Sequence, residues 1–217
     1  MRTFGFPEFL FILEAAQWTL ALSLIAFVGG SILGLVIALA RTSENKTARG
    51  LSMAFIKIFQ GTPLLLQLFL IFFGAPVLGL DINPWIAAGV ALVLNSAAFL
   101  GEIWRGCIEA VPRGQWEASL ALNLDYRSRM RDVVLPQAFK IALAPTVGYV
   151  VQIIKGTSLA AIIGFTEITR AGQIINNATF QPLEVFTTVA ALYFVICWPL
   201  SLLAARMERN RARTLAR

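Results

Sequence analysis

The sequence predicts an all-α polytopic membrane protein with five transmembrane helices and a long cytoplasmic loop carrying a short helix of its own. Three observations carry this reading. First, of 217 residues 58% are hydrophobic and 14% charged, and the mean hydropathy is +0.73; soluble domains hold roughly 45–50% apolar and about 25% charged residues. Second, the apolar residues gather into five runs, each of the ~20 residues or more that a bilayer-spanning helix needs. Third, the basic residues avoid those runs and collect on one side of them.

The first run, Ala15–Ala40, has 26 residues. That exceeds the roughly 7–15 of a signal-peptide core, so it reads as a retained span. Within it Ala26, Gly30, Gly34 and Ala38 recur every fourth residue, a small-residue ridge that lets a neighbouring helix approach closely in ordinary bundle packing. The second run, Ile58–Leu80, contains Gly61-Thr62-Pro63. A break is expected there, because Pro63 disfavours helical geometry at Thr62. Ile82–Gly101 is the third run; Ile141–Phe165, the fourth, is interrupted by Lys155 and the adjoining Gly156-Thr157-Ser158; Val185–Ala205 is the fifth. Pro145 and Pro199 lie inside the last two, where each removes a backbone donor and can kink its helix. With their flanks the spans fall at about 15–41, 52–80, 83–105, 138–164 and 184–206 of one domain covering 1–217, with the cytoplasmic loop at about 106–137.

Five spans put the termini on opposite sides. Arg41, Lys46 and Arg49 follow the first span; Arg105, Arg113, Arg127, Arg129, Arg131 and Lys140 lie between the third and fourth; Arg206, Arg209, Arg211, Arg213 and Arg217 follow the fifth. These are fourteen of the 18 basic residues, against Arg2 and Arg170 on the other face and Lys57 and Lys155 inside apolar segments. The positive-inside rule then expects the C-terminus in the cytoplasm and the N-terminus outside.

Several chemistries are excluded. There is no His, which removes Ser-His-Asp triads, His-based acid–base catalysis and most zinc sites. Cys107 and Cys197 stand 90 positions apart and have neither metal-ligand spacing nor a disulfide framework. No P-loop pattern occurs, so any energy source comes from a partner or an ion gradient. A membrane-embedded enzyme lacks support, since no paired intramembrane carboxylates are present.

The third and fourth spans are joined by roughly forty residues, long for a connector without a function. In this loop Pro112-Arg113-Gly114 reads as a turn, followed by a short helix over Glu117–Leu124 with Trp116, Leu120 and Leu124 on one stripe. Glu117 is placed in the first turn, where negative charge suits the helix dipole, and Leu135-Pro136 is expected to stop the segment before the fourth span. Physical chemistry alone leaves two roles open: an interfacial helix anchored by arginines on anionic lipid, or a docking helix for a soluble partner.

Particular residues favour docking. Glu117-Ala118-Ser119, then Asn123, then Leu135-Pro136 resembles the EAA loop of ABC-importer permeases, the element that seats in a groove of the ATPase subunit. The family usually has Gly at the position of Asn123, and Asn is the best substitute where a positive φ is needed. Gln60-Gly61-Thr62-Pro63-Leu64-Leu65-Leu66-Gln67 resembles the RGTPLL-Q signature of the polar amino-acid branch, with Gln60 in place of Arg. Glu102-Ile103-Trp104-Arg105-Gly106 leading to Ala118, Lys155-Gly156-Thr157-Ser158-Leu159 and Glu167-Ile168-Thr169-Arg170-Ala171-Gly172 resemble further motifs of that branch; the second of these follows a K-D-T-S-L pattern but lacks its Asp. The resemblance covers about residues 10–210.

It implies the type I ABC-importer permease fold, with residues Glu117, Ala118, Ser119, Leu120 and Asn123 forming the cytoplasmic coupling helix. It also implies a second permease subunit, identical or homologous; two ATPase subunits that carry ATP and Mg; and an extracytoplasmic solute-binding protein. This chain itself would bind no cofactor and would sit as a multi-pass protein in the cell inner membrane, moving an amino acid or similar small polar solute by alternating access. A self-sufficient secondary transporter or channel is the alternative, but it would need no docking helix. For the solute route the candidates are Thr62, Gln67, Asn95, Lys155, Thr157 and Ser158, polar groups inside apolar runs and beside expected backbone breaks. Lys155 can bind a carboxylate, pair with an acid of the partner subunit or snorkel; the hydroxyls can instead bond their own helix, and Asn95 can bridge helices. Gly164–Glu184 outside, with Glu167, Arg170, Gln173, Asn176, Asn177 and Gln181, is long and polar enough to receive a binding protein.

Overall fold

The structure, a computed structural model, describes residues 3–215, with side chains through residue 210; Arg2 and Arg217 of the charge asymmetry lie outside the described residues, as do the side chains of Arg211 and Arg213. Nine α-helices follow in order among the described residues: α1 Phe6–Thr42, α2 Lys46–Gly61, α3 Leu64–Val77, α4 Pro84–Glu109, α5 Arg113–Ala121, α6 Tyr126–Ser128, α7 Leu135–Thr157, α8 Ile168–Thr179 and α9 Pro182–Leu215. A π-turn, Arg129–Val134, joins α6 to α7, and a 3-10 turn, Ser158–Ile163, ends α7.

Helices α1, α4, the α6–α7 rod and α9 are each long and apolar enough to cross a membrane, and α2 with α3 makes a fifth if the bent pair is counted as one span. The pair is bent by 100°. Gly61-Thr62-Pro63 therefore does more than interrupt the second span: it turns the chain through a right angle.

The small-residue ridge of α1 is buried along α4. A Cβ added at Gly30 would stand 2.5 Å from Ser96 Cβ, and one at Gly34 would stand 3.1 Å from Gly101 N. The ridge is thus helix packing, the plainer of its uses. α1 begins at Phe6 and runs 37 residues, about 55 Å at 1.5 Å per residue, well beyond a hydrocarbon core of about 30 Å. The expected start near 15 marks where the uncharged run begins, and the helix itself begins nine residues earlier, at Phe6. Its extra turns are buried elsewhere: Ile12 and Ala15 pack with Ile168, Ala171 and Val185. Trp18 meets Trp85 of α4 edge to face at 5.6 Å, and Trp85 meets Phe165 at 4.7 Å, aromatic residues of the kind that collect at one membrane–water boundary.

At the opposite end, Ala38, Ile108, Val111, Met130, Val134 and Ala138 form a second core. Three expectations for the loop change here. Leu135-Pro136 does not stop a segment: Pro136 lies in the first turn of α7, and the helical path continues from Tyr126 to Ile163. The π-turn, in which Leu135 N–H donates to Met130 O, shifts the register just where Pro136 lacks a donor. The short helix α5 starts at Arg113, so Glu117 is its fifth residue and stands in the second turn, away from the first turn where the dipole acts. Finally, Leu120 is exposed while Ser119 is buried beside half-buried Trp116. The small Ser side chain, its hydroxyl donating to Trp116 O at 2.7 Å, lets the helix lie close to the bundle and turns Leu120 outward.

Candidate functional site

Two candidate regions can be built from the residues upward. In the segment between α4 and α7, α5 ends in a Schellman motif: Leu124 N–H donates to Ser119 O at 3.1 Å and Asn123 N–H to Leu120 O at 2.8 Å. Asn123 adopts φ 54°, the left-handed geometry expected of it. Glu117, Ala118, Leu120 and Asn123 are exposed, and Ser119 faces the protein. Behind them Trp104 Nε1 donates to Thr146 Oγ1 at 2.9 Å, tying α4 to α7, and Arg105 bridges Glu102 and Glu109. An exposed apolar and acidic tip on a well-anchored base can seat against another protein.

Inside the apolar layer, the bend between α2 and α3 is closed by amides. Gln67 Nε2 donates to Phe59 O at 2.8 Å and to Thr62 O and Oγ1, each at 3.0 Å, while Asn95 Nδ2 donates to Gln67 Oε1 at 3.2 Å. Both amides are nearly buried, 7% and 9% exposed, and supply the donors that the broken helix cannot. Thr62 donates to Ile58 O at 2.8 Å, Thr157 to Ile154 O at 2.7 Å and Ser158 to Lys155 O at 2.7 Å. All three hydroxyls thus bond back to their own helices. α7 does not open at Gly156; it continues to Thr157 and tightens into the 3-10 turn.

Lys155 differs from these. It is exposed on the face of α7, forms no ion pair with any described residue, and has Cys197 of α9 within range of its charge. The next residue packs against the bend, since a Cβ on Gly156 would stand 3.3 Å from Leu64 Cδ2. The fold therefore brings the Lys155 segment and the start of α3 together, although 90 residues separate them. Sequence reasoning missed Gln152, exposed one turn before Lys155; its signal was the one that marked Gln67 and Asn95, a polar amide in an apolar run. The groove between α1 and α4, lined by Ile25, Leu33, Trp85 and Val93, offers only apolar surface and suits lipid better than a polar solute.

A third polar cluster was only half anticipated. Glu167, expected on the external surface, is fully buried. It caps α8 by accepting Arg170 N–H at 2.9 Å and accepts Tyr193 Oη–H at 2.5 Å, while Ile168 N–H donates to Thr19 Oγ1 at 3.2 Å. Tyr193 and Thr19 gave no motif, because they lie on other helices. Burial pushes the Glu167 carboxyl upward, opposed by the hydrogen bonds from the Thr169 and Arg170 backbone and from Tyr193.

A right-angled span, a cation in the apolar layer without an ion pair among the described residues, and an exposed short helix at one end of the bundle suit an integral-membrane transport subunit. Residues 30–213 match the family described as binding-protein-dependent transport system inner membrane component, and the chain belongs to that family. The probable amino-acid ABC transporter permease protein YckA of Bacillus subtilis (strain 168) is 35% identical over 190 residues, 88% of this chain and 84% of YckA. The glutamine transport system permease protein GlnP of Escherichia coli (strain K12) is 36% identical over 206 residues, 94% of each chain. A crystal structure of an amino acid ABC transporter with histidines matches with a TM-score of 0.88 at 33% identity, covering 96% of this chain and 100% of that one. The fold is that of type I ABC-importer permeases, and the self-sufficient transporter or channel gives way to a permease subunit.

Two outcomes are expected from these contacts. Gln67→Leu and Asn95→Leu should each lower the thermal stability of the solubilised protein, by about 1–3 kcal/mol for each buried group stranded. The double variant should lose less than the sum of the two, because they share one network; strict additivity would show that the amides act independently. For Glu167, a folded-state pKa above the unfolded value means that the contribution is fully present below the unfolded value of about 4.3 and is lost as pH rises through the folded one. Protection of the α8 amides from hydrogen exchange, corrected for the intrinsic rate, should fall as pH rises over that window, and Glu167→Gln should flatten the profile.

Proposed function

We propose that this chain is the membrane subunit through which an ATP-driven importer moves an amino acid or similar small polar solute into the cytoplasm. The observation that carries the reading is Lys155, exposed with Gln152 near the middle of the apolar run Ile141–Phe165. A charge facing lipid there costs about 2.5–3.5 kcal/mol on insertion scales, and such residues generally face a bundle interior or a water-filled path. Lys155 would hold the solute carboxylate beside the broken span; the N-terminal end of α3 would add favourable dipole. Thr62, Thr157 and Ser158 line the same region and can exchange their intrahelical bonds for solute contacts, while Gln67 and Asn95 hold its shape.

The route is completed by a second permease subunit, and alternating access is powered by two ATPase subunits carrying ATP and Mg. Glu117, Ala118, Ser119, Leu120 and Asn123 form the seat for one of these, and the external segment 164–184 receives a solute-binding protein. The whole chain, 1–217, acts as one permease domain of the cell inner membrane. The gathering of fourteen of the 18 basic residues in the sequence segments on one side of the spans supports a cytoplasmic C-terminus and an external N-terminus.

Charge reversal at the exposed Glu117 tests the seat. Glu117→Lys should insert and fold normally yet fail to co-purify with the ATPase or to show binding-protein-stimulated hydrolysis; wild-type transport would leave α5 as a merely interfacial helix. Orientation is checked separately: a reporter fused after Arg217 should read cytoplasmic and one near Pro182 external, and both on one side would overturn the five-span topology.

A further inference from the structure

The charge of the solute route has a consequence for which solutes it admits, on the reading that α7 lines that route. Lys155 lies 14 residues from one end of the run Ile141–Phe165 and 10 from the other, about 21 Å and 15 Å along a helix. A lysine side chain cannot bridge either distance to reach headgroups. None of the five apolar runs contains an Asp or Glu, so no acid in this chain's membrane layer offsets the ammonium. The acids that flank α4 and α7 lie outside the apolar runs: Glu102 and Glu109 pair with Arg105, Asp132 with Arg131, Glu167 accepts from Tyr193 and the Arg170 N–H, and Asp81 is exposed before the start of α4. On α9, Cys197 lies within range of the Lys155 charge, and Gln152, exposed one turn before Lys155, is an uncharged amide.

We propose that this charge arrangement restricts the solute to amino acids without net positive charge, zwitterionic or anionic, and rejects cationic ones. A solute carboxylate compensates Lys155. A side-chain ammonium or guanidinium would bring a second positive charge into a layer of low dielectric where no carboxylate of this chain awaits it. Gln152 can hydrogen-bond a solute side chain through its carbonyl or its amide but cannot neutralise a charge.

The test uses the assembled importer, permease pair and ATPase, in nanodiscs and without its solute-binding protein, whose own selectivity would mask the effect. Equilibrium binding of radiolabelled glutamine, glutamate and arginine is measured. Glutamine and glutamate should bind, with arginine weaker by about tenfold or more. Gln152→Glu, nearly isosteric and at an exposed position, should close most of that gap while weakening glutamate. Arginine binding the wild type as tightly as glutamine does, or a ratio unmoved by Gln152→Glu, would overturn the charge selection while leaving the transport reading intact. Binding of none of the three, or binding unaffected by Lys155→Gln, would instead overturn the placement of α7 on the route.

Discussion

Everything in this fold follows from the rule that hydrocarbon offers backbone groups no partner. Four spans obey it by staying helical. The second does not: at Gly61-Thr62-Pro63 the chain bends by 100°, which strips carbonyls of their helical donors. Gln67 and Asn95 replace those donors from inside. Once the clasp is in place the rest is constrained. Asn95 fixes α4 against the bend, α4 in turn is fixed against the glycine ridge of α1, and α7 passes with only the width of Gly156 between itself and Leu64. The bend thus costs little stability while creating irregular backbone deep in the membrane, which a solute path needs.

Much of this was legible in the residues. Apolar run length located the spans, because the ~30 Å thickness of the bilayer is a ruler that any sequence must meet. Pro63 announced the bend, and Asn123 the positive-φ turn, because both are steric statements about single residues. What failed to show were relations between segments. Glu167 looked like surface because its partner Tyr193 lies 26 positions away, and Thr19, which anchors the neighbouring Ile168 N–H, lies 149 positions from Ile168, separations on which sequence pattern is silent. Leu120 shares a sequence stripe with Trp116 and Leu124, yet it is exposed while Ser119 is buried, so the inward face of α5 is set by size and not by hydropathy. For Gln67 and Asn95 an amide in an apolar run signals a need for partners without saying whose, and their bonds to each other and to the bend come only from the fold.

The two ends of the molecule carry different kinds of polar group. At the end of the bundle that carries α8, Glu167, Tyr193 and Thr19 are turned inward and consumed in holding α8 to α1 and α9. At the opposite end the short helix α5 keeps Glu117, Ala118 and Leu120 outward, with the cap at Asn123 ending it and Trp116 packed behind it. A helix whose shape is fixed in this way loses little ordering entropy on docking to another protein.

The length of α1 gives the subunit a mechanical property. Ile12 sits in the outer core with Ile168 and Val185, and Ala38 sits in the inner core with Met130 and Val134. The two are joined by 26 residues of helix without a proline, a rod of about 39 Å. A rod this stiff has no place to bend except by leaving α4, and the glycine contacts hold it there. A shove delivered at α5 and the π-turn behind it therefore cannot be absorbed midway. It must reappear at α8, so that the two faces of the membrane are coupled through one strut as the ends of a lever are.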